Sequence, residues 1–123
     1  MSFAVRQAWH ADLERLVELA VGCQGDPNRS CHYLSSDIAA LRTELREIEG
    51  VDSWTTATWV ALDDARDVIG WIAAESDRQM GRVWWFGPFV ADADLPLADA
   101  IADGLFGAGR RSLAQFPEHE LAI

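Results

Sequence analysis

The stretch from Gly81 to Val90, Gly-Arg-Val-Trp-Trp-Phe-Gly-Pro-Phe-Val, constrains the fold more than any other part of the sequence. Its aromatic residues and valines are too dense for a strand with one face in water, so we expect a central strand covered on both sides. Because proline gives no N–H to a ladder, Gly87-Pro88 predicts a bulge or a splayed strand. Backbone groups beside such a bulge are a natural place for a ligand to bind.

The length and hydropathy of the chain predict one globular domain spanning residues 1–123. It has 123 residues, half of them hydrophobic, which suffices for one core. No apolar run approaches the roughly 20 residues of a membrane helix. The first residues lack the pattern of a signal peptide. We therefore expect a cytoplasmic protein that is not inserted in a membrane.

The charge of the chain bears on its partners. The formal net charge is −10, and the ten basic residues are all arginine. No basic stripe exists, so a nucleic-acid or anionic-membrane partner is not expected. The lack of lysine excludes any mechanism through a lysine Schiff base.

Two cysteines, Cys23 and Cys31, are the thiols of the chain. In a small cytosolic domain they are expected to be free rather than joined in a disulfide. Their spacing, even with His32 adjacent, does not match a common zinc site. No metal site is predicted.

Hydrophobic periodicity divides the chain into helices and strands. Helices are predicted at Ala11–Val21, ended by Gly22, at Ser36–Glu49, capped by Ser35 or Ser36 and ended by Gly50, and at Leu97–Phe106. Strands are predicted at Phe3–Arg6, Trp54–Leu62, Val68–Glu75, Gly81–Val90 and within Leu113–Ile123. The order β-α-α-β-β-β-α-β defines a mixed α+β fold in which the last strand is parallel to the Gly81–Val90 strand.

The glycines and apolar positions of the helices add two expectations. Ile38, Leu41, Leu45 and Ile48 form the predicted buried stripe of the second helix. Gly104, Gly107 and Gly109 are predicted to weaken the C-terminal part of the third.

The run from Val5 to Leu19 resembles the first strand and helix of the GCN5-related N-acetyltransferases (GNAT). In that family an arginine follows the valine of the strand, as Arg6 does here, and Asp-Leu-x-x-Leu-x-x-Leu opens the helix. Trp59–Leu62, Val68–Ile72 and Gly81–Val90 are similar to its second, third and fourth strands. The resemblance implies that the pantetheine arm of acetyl-CoA lies where the fourth strand splays from the fifth. It also implies that the cofactor's pyrophosphate meets the N–H groups of the loop that opens the third helix.

The sequence departs from the family at that loop. The family pattern is Arg/Gln-x-x-Gly-x-Gly/Ala, whereas no glycine lies between Pro88 and Gly104 here. Three aspartates, Asp92, Asp94 and Asp99, stand there instead, so the charge is wrong for a polyanion. Set beside the family, the chain is expected to be C-terminally truncated after the fifth strand. Its single tyrosine, Tyr33, lies too early to be the family's general acid.

The simplest candidate for a general base is Glu75, at the end of its predicted strand, or a carboxylate near Trp59, since catalytic carboxylates often lie at strand ends. The alternative is that Glu75 is a solvated residue entering a turn. His10, His32 and His119 are interpreted as surface residues, and Cys23 as a buried thiol.

The tryptophans leave two interpretations open. Trp84 and Trp85 must face opposite sides of the sheet. Together with Trp71 they could line an aromatic ligand pocket, or they could fill the core on one side and an interface on the other.

Three hypotheses of function follow. In the first, the chain is a non-catalytic GNAT-like domain with a degenerate phosphate loop, acting as the structural half of a homodimer or beside a second GNAT-like domain. In the second, it is an active N-acetyltransferase that binds acetyl-CoA through the backbone of Phe89 and Val90, with Glu75 as base. The third is a domain that binds a small ligand on its tryptophan-rich face.

Overall fold

The computed structural model describes residues 2–26, 31, 34–48, 53–77, 79–91, 97–113 and 120–122. Within them lies a sheet of five strands in the order β1-β2-β3-β4-β5. The elements are β1 (Ala4–Gln7), α1 (Leu13–Gln24), α2 (Ile38–Arg46), β2 (Thr58–Leu62), β3 (Val68–Asp77), β4 (Arg82–Val90), α3 (Ala98–Leu113) and β5 (Glu120–Ala122). Short 3-10 turns precede α1 and β2. The strands β1 to β4 are antiparallel, and β5 is parallel to β4. The predicted fold class and element order are confirmed.

The sheet is covered on both faces, as the dense apolar pattern of β4 predicts. Trp71 and Ala73 of β3 belong to the core cluster that includes the buried residues of α1 and α2. Ile72 and Ala74 alternate with them and belong to the second cluster, with Ile101 and Leu105 of α3. This alternation follows from the two-residue period of a strand.

The helix α1 is longer than predicted. It continues through Gly22 to Gln24, and Gly25 is its C-cap. Gly22 therefore does not end the helix. Glycine inside a helix costs only about 1 kcal/mol relative to alanine, and the buried face of Leu13, Leu16, Val17 and Ala20 provides the compensation.

The helix α2 begins at a different cap from the predicted one. The carboxylate of Asp37 accepts a hydrogen bond from the N–H of Ala40, at 2.9 Å. Ser35 is instead bound by Glu44, which accepts from its N–H and its hydroxyl. Ile38 is 52% exposed, so its place in the buried stripe was wrong, whereas Leu41, Leu45 and Ile48 are buried. The predicted end at Glu49 and Gly50 lies outside the described residues.

The helix α3 runs past its glycines to Leu113. A Cβ added to Gly109 would lie 2.6 Å from the ring of Trp85, and one on Gly104 would lie 3.0 Å from the ring of Phe3. On β3, a Cβ at Gly70 would lie 3.3 Å from Leu105. The predicted end at Phe106 was therefore wrong, and Gly104 and Gly109 let the helix pack closely on the sheet. The weakening by glycine stays a prediction.

One side chain holds the chain between α1 and α2 in place. The amide nitrogen of Gln24 donates to the carbonyl oxygens of Cys31, Leu34 and Ser35, at 2.8–3.2 Å. Its amide oxygen accepts from the N–H of Cys31 at 2.6 Å. Four backbone groups ahead of α2 are therefore tied to the last turn of α1.

Candidate functional site

The predicted bulge in β4 is present. Trp71 is paired with Phe89 and Ala73 with Phe86, so β4 has one residue more than β3 between these pairs. Gly87 has a φ of +96°, and the Gly87-Pro88 peptide bond is cis. A Cβ on Gly87 would lie 2.9 Å from the nitrogen of Phe89 and 3.0 Å from the carbonyl oxygen of Trp71. Both the backbone angle and the close approach require glycine.

The fifth strand meets β4 before the bulge. In the described part of the chain, β5 is paired with Arg82, Val83 and Trp84. The bulge and Phe89 follow these pairs in the chain. The resemblance implies that the fourth and fifth strands separate at the bulge. Their pairing at Arg82–Trp84, ahead of the bulge, is consistent with that arrangement.

Phe89 and Val90, the predicted backbone contacts of a cofactor, lie beyond the bulge. The side chain of Phe89 is fully buried, and its ring lies 4.8 Å from that of Trp71. Val90 is paired with Gly70, and its carbonyl oxygen accepts a hydrogen bond from the thiol of Cys23 at 3.5 Å. The N–H of Ala91 then donates to Ile69 at 2.8 Å. The end of β4 is thus fixed by α1 on one side and β3 on the other.

Glu75 lies two residues before the end of β3, because that strand continues to Asp77. It is half-buried and paired with Trp84. From Gly70, the partner of Val90, to Glu75 is a distance of about 17 Å along the strand, at roughly 3.3 Å per residue. The structure therefore does not bring Glu75 together with Val90; it places Glu75 at the end of β4 where β5 is paired.

A cleft lies between α1 and the end of β4. Its volume is about 250 Å³. It is lined by Arg15, Glu18, Leu19, Gly22, Cys23 and Ala91. The sequence did not predict this cleft. The one signal in the sequence is that Arg15 and Gly22 are polar or small positions on the outer side of an amphipathic helix. Only the packing of α1 beside Ala91 brings them together.

Two of the tryptophans proposed as pocket walls belong to the core. Trp71 is fully buried, and its indole N–H donates to the carbonyl oxygen of Leu16 at 3.0 Å. Trp85 is 3% exposed and packs on Phe106, with ring centroids 4.5 Å apart. Trp84 lies on the face of the sheet opposite Trp85, which is also the face of Trp71, and is half-buried. The predicted opposition of Trp84 and Trp85 is confirmed, and the core interpretation holds for Trp71 and Trp85.

The other candidate residues form no site among the described residues. Cys23 and Cys31 form no disulfide, and the first is buried and the second half-buried. No group of three possible metal ligands occurs in the described ranges. Over the same residues, no helix has the length and apolar character to cross a membrane. His10 lies against Trp54, with ring centroids 5.8 Å apart. His32, Tyr33 and His119 lie outside the described residues, as do Asp92 and Asp94.

Asp12 lies at the centre of an electrostatic cluster before α1. Burial acts to raise the pKa of Asp12, but hydrogen bonds from Arg6 and from the N–H of Trp9 outweigh it and hold that pKa below its usual value. The oxygens of Asp12 lie 2.8 and 3.2 Å from the guanidinium of Arg6. That guanidinium also lies 3.5 Å from the ring centroid of Trp9. The cluster fixes the turn before α1.

Comparison with solved structures places this arrangement in a known class, and 17 chains match. An aminoglycoside acetyltransferase from an uncultured soil metagenomic sample matches over 100% of this chain and 78% of its own, with 19% identity and a TM-score of 0.59. A chimera of a spermidine N-acetyltransferase from Vibrio cholerae matches over 98% and 69%, with 13% identity and a TM-score of 0.57. A GNAT-family acetyltransferase from Staphylococcus aureus matches over 89% and 67%, with 12% identity and a TM-score of 0.55.

The chain therefore has the fold of the GNAT acetyltransferases, as its resemblance predicts. No protein-family model matches the sequence, and no curated protein matches it significantly. At identities of 12–19%, the likeness concerns the fold and leaves the chemistry to the residues of this chain.

Proposed function

We propose that this protein is a non-catalytic GNAT-fold domain, with a degenerate acetyl-CoA pyrophosphate loop, that acts as a structural partner in an acetyltransferase assembly. The observation that carries the proposal is the sequence after β4. Asp92 and Asp94 stand where the family pattern has an arginine or glutamine and glycines. Asp99 adds a carboxylate in the first turn of α3.

The N-terminus of α3 is where the phosphates of acetyl-CoA would bind. A helix N-terminus attracts anions because its N–H groups point outward and its dipole is positive there. Carboxylates in that turn take up this favourable field themselves. A loop without glycine also keeps side chains between the backbone and a pyrophosphate. The part of the site that would hold the phosphates of acetyl-CoA is thus disfavoured by both charge and shape.

A second candidate, an active N-acetyltransferase acting on a small amine, is favoured by the bulge. The register shift beside Gly87, with its positive φ, matches the shape that the resemblance connects with pantetheine binding. Glu75 lies beside Trp84, at the opposite end of β4 from the phosphate loop. Since pantetheine extends away from the pyrophosphate, this is the end at which a thioester and a base would meet.

Calorimetric titration with acetyl-CoA separates the two functions. The non-catalytic domain should give no binding heat at ligand concentrations up to about 1 mM, which corresponds to less than about 4 kcal/mol of binding free energy. Micromolar binding would overturn the proposal. Loss of that binding in the Glu75→Gln variant would argue against a role as base, because a base contributes to turnover rather than to affinity.

A charge-matched pair of variants tests the cause. Asp92→Asn with Asp94→Asn should increase acetyl-CoA affinity. Asp64→Asn with Asp67→Asn, on the loop between β2 and β3, changes the net charge equally but outside the loop that follows β4. If both pairs shift the affinity by the same factor, the effect is that of overall charge and the loop has no special part in it.

The partner is proposed to be a second copy of the chain or another GNAT-like domain. Light scattering on the purified protein between about 10 and 500 μM tests the first possibility, since the fraction of dimer rises with protein concentration. A monomer at every concentration would exclude the homodimer.

A further inference from the structure

The cleft between α1 and Ala91 contains a guanidinium that is already fixed in place. The Nε of Arg15 donates to the carbonyl oxygen of Val68 at the start of β3, at 3.0 Å. A side chain tied at Nε loses little further freedom when its outer nitrogens bind a ligand. Arg15 lines the cleft, so its outer nitrogens, one of which now binds Glu18, form a preorganised anion contact.

The group that now occupies this edge is easily replaced. Glu18 accepts one hydrogen bond from Nη1 of Arg15, at 2.7 Å, with its side chain 70% exposed. An exposed pair of this kind adds little stability. A ligand carboxylate could take the place of the Glu18 carboxylate, and with two oxygens it could bind both outer nitrogens.

The remaining wall suits a short apolar tail. Leu19 and Cys23 are buried residues of α1 whose surfaces line the cleft beside Ala91. A Cβ added to Gly22 would meet nothing within 4 Å, so the backbone of α1 is open to a ligand there. At about 30 Å³ per water molecule, a cleft of about 250 Å³ has room for roughly eight waters. That limits the tail to a few carbons.

We propose that this cleft is a binding site for a short-chain monocarboxylate, whose carboxylate binds Arg15 in place of Glu18 and whose tail lies over Gly22 against Leu19 and Ala91. The ligand carries one charge, because the net charge of −10 repels multivalent anions more strongly. The site does not depend on acetyl-CoA binding, so it stands or fails separately from the proposed function.

Titration with butyrate, monitored by backbone amide NMR, tests the site, with butylamine as the matched cation. Butyrate should bind with a millimolar dissociation constant and shift the amide signals of residues 15–23 and 91. Butylamine should shift none of them. Binding of butylamine in preference to butyrate would overturn the proposal, since it would assign the site to Glu18 rather than Arg15.

Three variants should change butyrate affinity in different ways. Glu18→Gln removes the competing carboxylate and should tighten butyrate binding by about two- to fivefold. Arg15→Lys keeps the charge but removes the planar fork, and should weaken binding at least fivefold. Gly22→Leu places an apolar side chain in the open space beside Gly22, so it should abolish binding. Because leucine is the better helix former, the substitution should also raise the melting temperature. Unchanged butyrate affinity in Gly22→Leu would show that the ligand binds elsewhere and would refute the site.

Discussion

At the scale of single residues, Gly109 shows how an unfavourable helix residue can be a packing requirement. It lies in the last third of α3, directly over the ring of Trp85, where an added Cβ would lie 2.6 Å from a ring carbon. Gly107, two residues earlier, faces only the flexible end of Arg111, at 3.4 Å. The two positions have the same helix propensity but opposite surroundings.

The substitutions Gly109→Ala and Gly107→Ala should therefore change stability in opposite directions. Gly107→Ala should raise the free energy of unfolding by about 0.5–1 kcal/mol, because alanine is the better helix former. Gly109→Ala should lower it by about 1–3 kcal/mol, because the added methyl group overpacks a buried ring. Urea unfolding measures both. Equal gains in the two variants would mean that α3 can move away from Trp85 at no cost.

Asp12 links the end of β1 to the start of α1, and its pKa makes that link sensitive to pH. Because its pKa in the folded protein is depressed by Arg6 and Trp9, its contribution is present above the unfolded value of about 3.9. It is lost as pH falls through the lower folded value.

The substitution Asp12→Asn should reduce the free energy of unfolding at pH 7 by about 2 kcal/mol, since hydrogen bonds to a charged group contribute about that much. The difference from the unsubstituted protein should narrow as pH falls below about 4, where Asp12 itself becomes neutral. Thermal unfolding from pH 7 to pH 2.5 measures it. A difference that stays constant over this range would contradict a role for the charge.

At the scale of elements, β4 combines a buried central strand with a local break. Gly87 takes a φ of +96° within atoms that leave no room for a Cβ. Gly25, at the C-cap of α1, has a φ of −74° and an ordinary contact at 3.8 Å. The pair separates a glycine that the backbone requires from one that it merely tolerates.

The substitution Gly87→Ala should destabilise the protein by about 2–4 kcal/mol, from positive φ and close backbone contact together. Gly25→Ala should be neutral or slightly stabilising. Alanine can adopt the φ of this position, and its side chain lowers the conformational entropy of the unfolded chain. Guanidinium unfolding monitored by tryptophan fluorescence compares them. Similar small effects would indicate that β4 can lose its bulge without cost to the sheet.

The sequence predicted elements wherever one local pattern decided the outcome. The apolar density of β4 and the alternation in β3 placed the sheet, since strand period alone sorts residues such as Ile72 and Trp71 to opposite faces. Element ends were harder to predict. Helix α1 continues through Gly22, and Gly109 and Gly104 of α3 allow close packing against Trp85 and Phe3, which no local pattern reveals. The site divides in the same way. The bulge was predictable from Gly87-Pro88, whereas the cleft at Arg15 depends on the packing of α1 against the end of β4.

At the scale of the whole molecule, the net charge of −10 destabilises the folded state through charge repulsion. Within the described part of the chain, Arg6, Arg15 and Arg42 are held in ion pairs with acidic residues. The acidic residues still outnumber the basic ones by 20 to 10. Repulsion among the excess carboxylates therefore opposes folding at neutral pH.

Raising the NaCl concentration from about 20 to 300 mM at pH 7 should increase the melting temperature by a few degrees, because the screening length falls from roughly 20 Å to below 10 Å. Scanning calorimetry measures the shift. Near pH 4.5, the isoelectric point of the sequence, the same salt step should have a smaller effect. A decrease with salt at pH 7 would show that attractive pairs outweigh the repulsion.

The amide of Gln24 has a consequence for how this protein can diversify. Because it fixes the backbone at Cys31, Leu34 and Ser35 from the end of α1, the start of α2 is positioned whatever lies between Gln24 and Cys31. The entropic cost of a longer connection grows only slowly with its length. Insertions and substitutions in that stretch should thus be tolerated without disturbing the core. The loop between α1 and α2 can therefore vary in length and sequence while the fold stays the same.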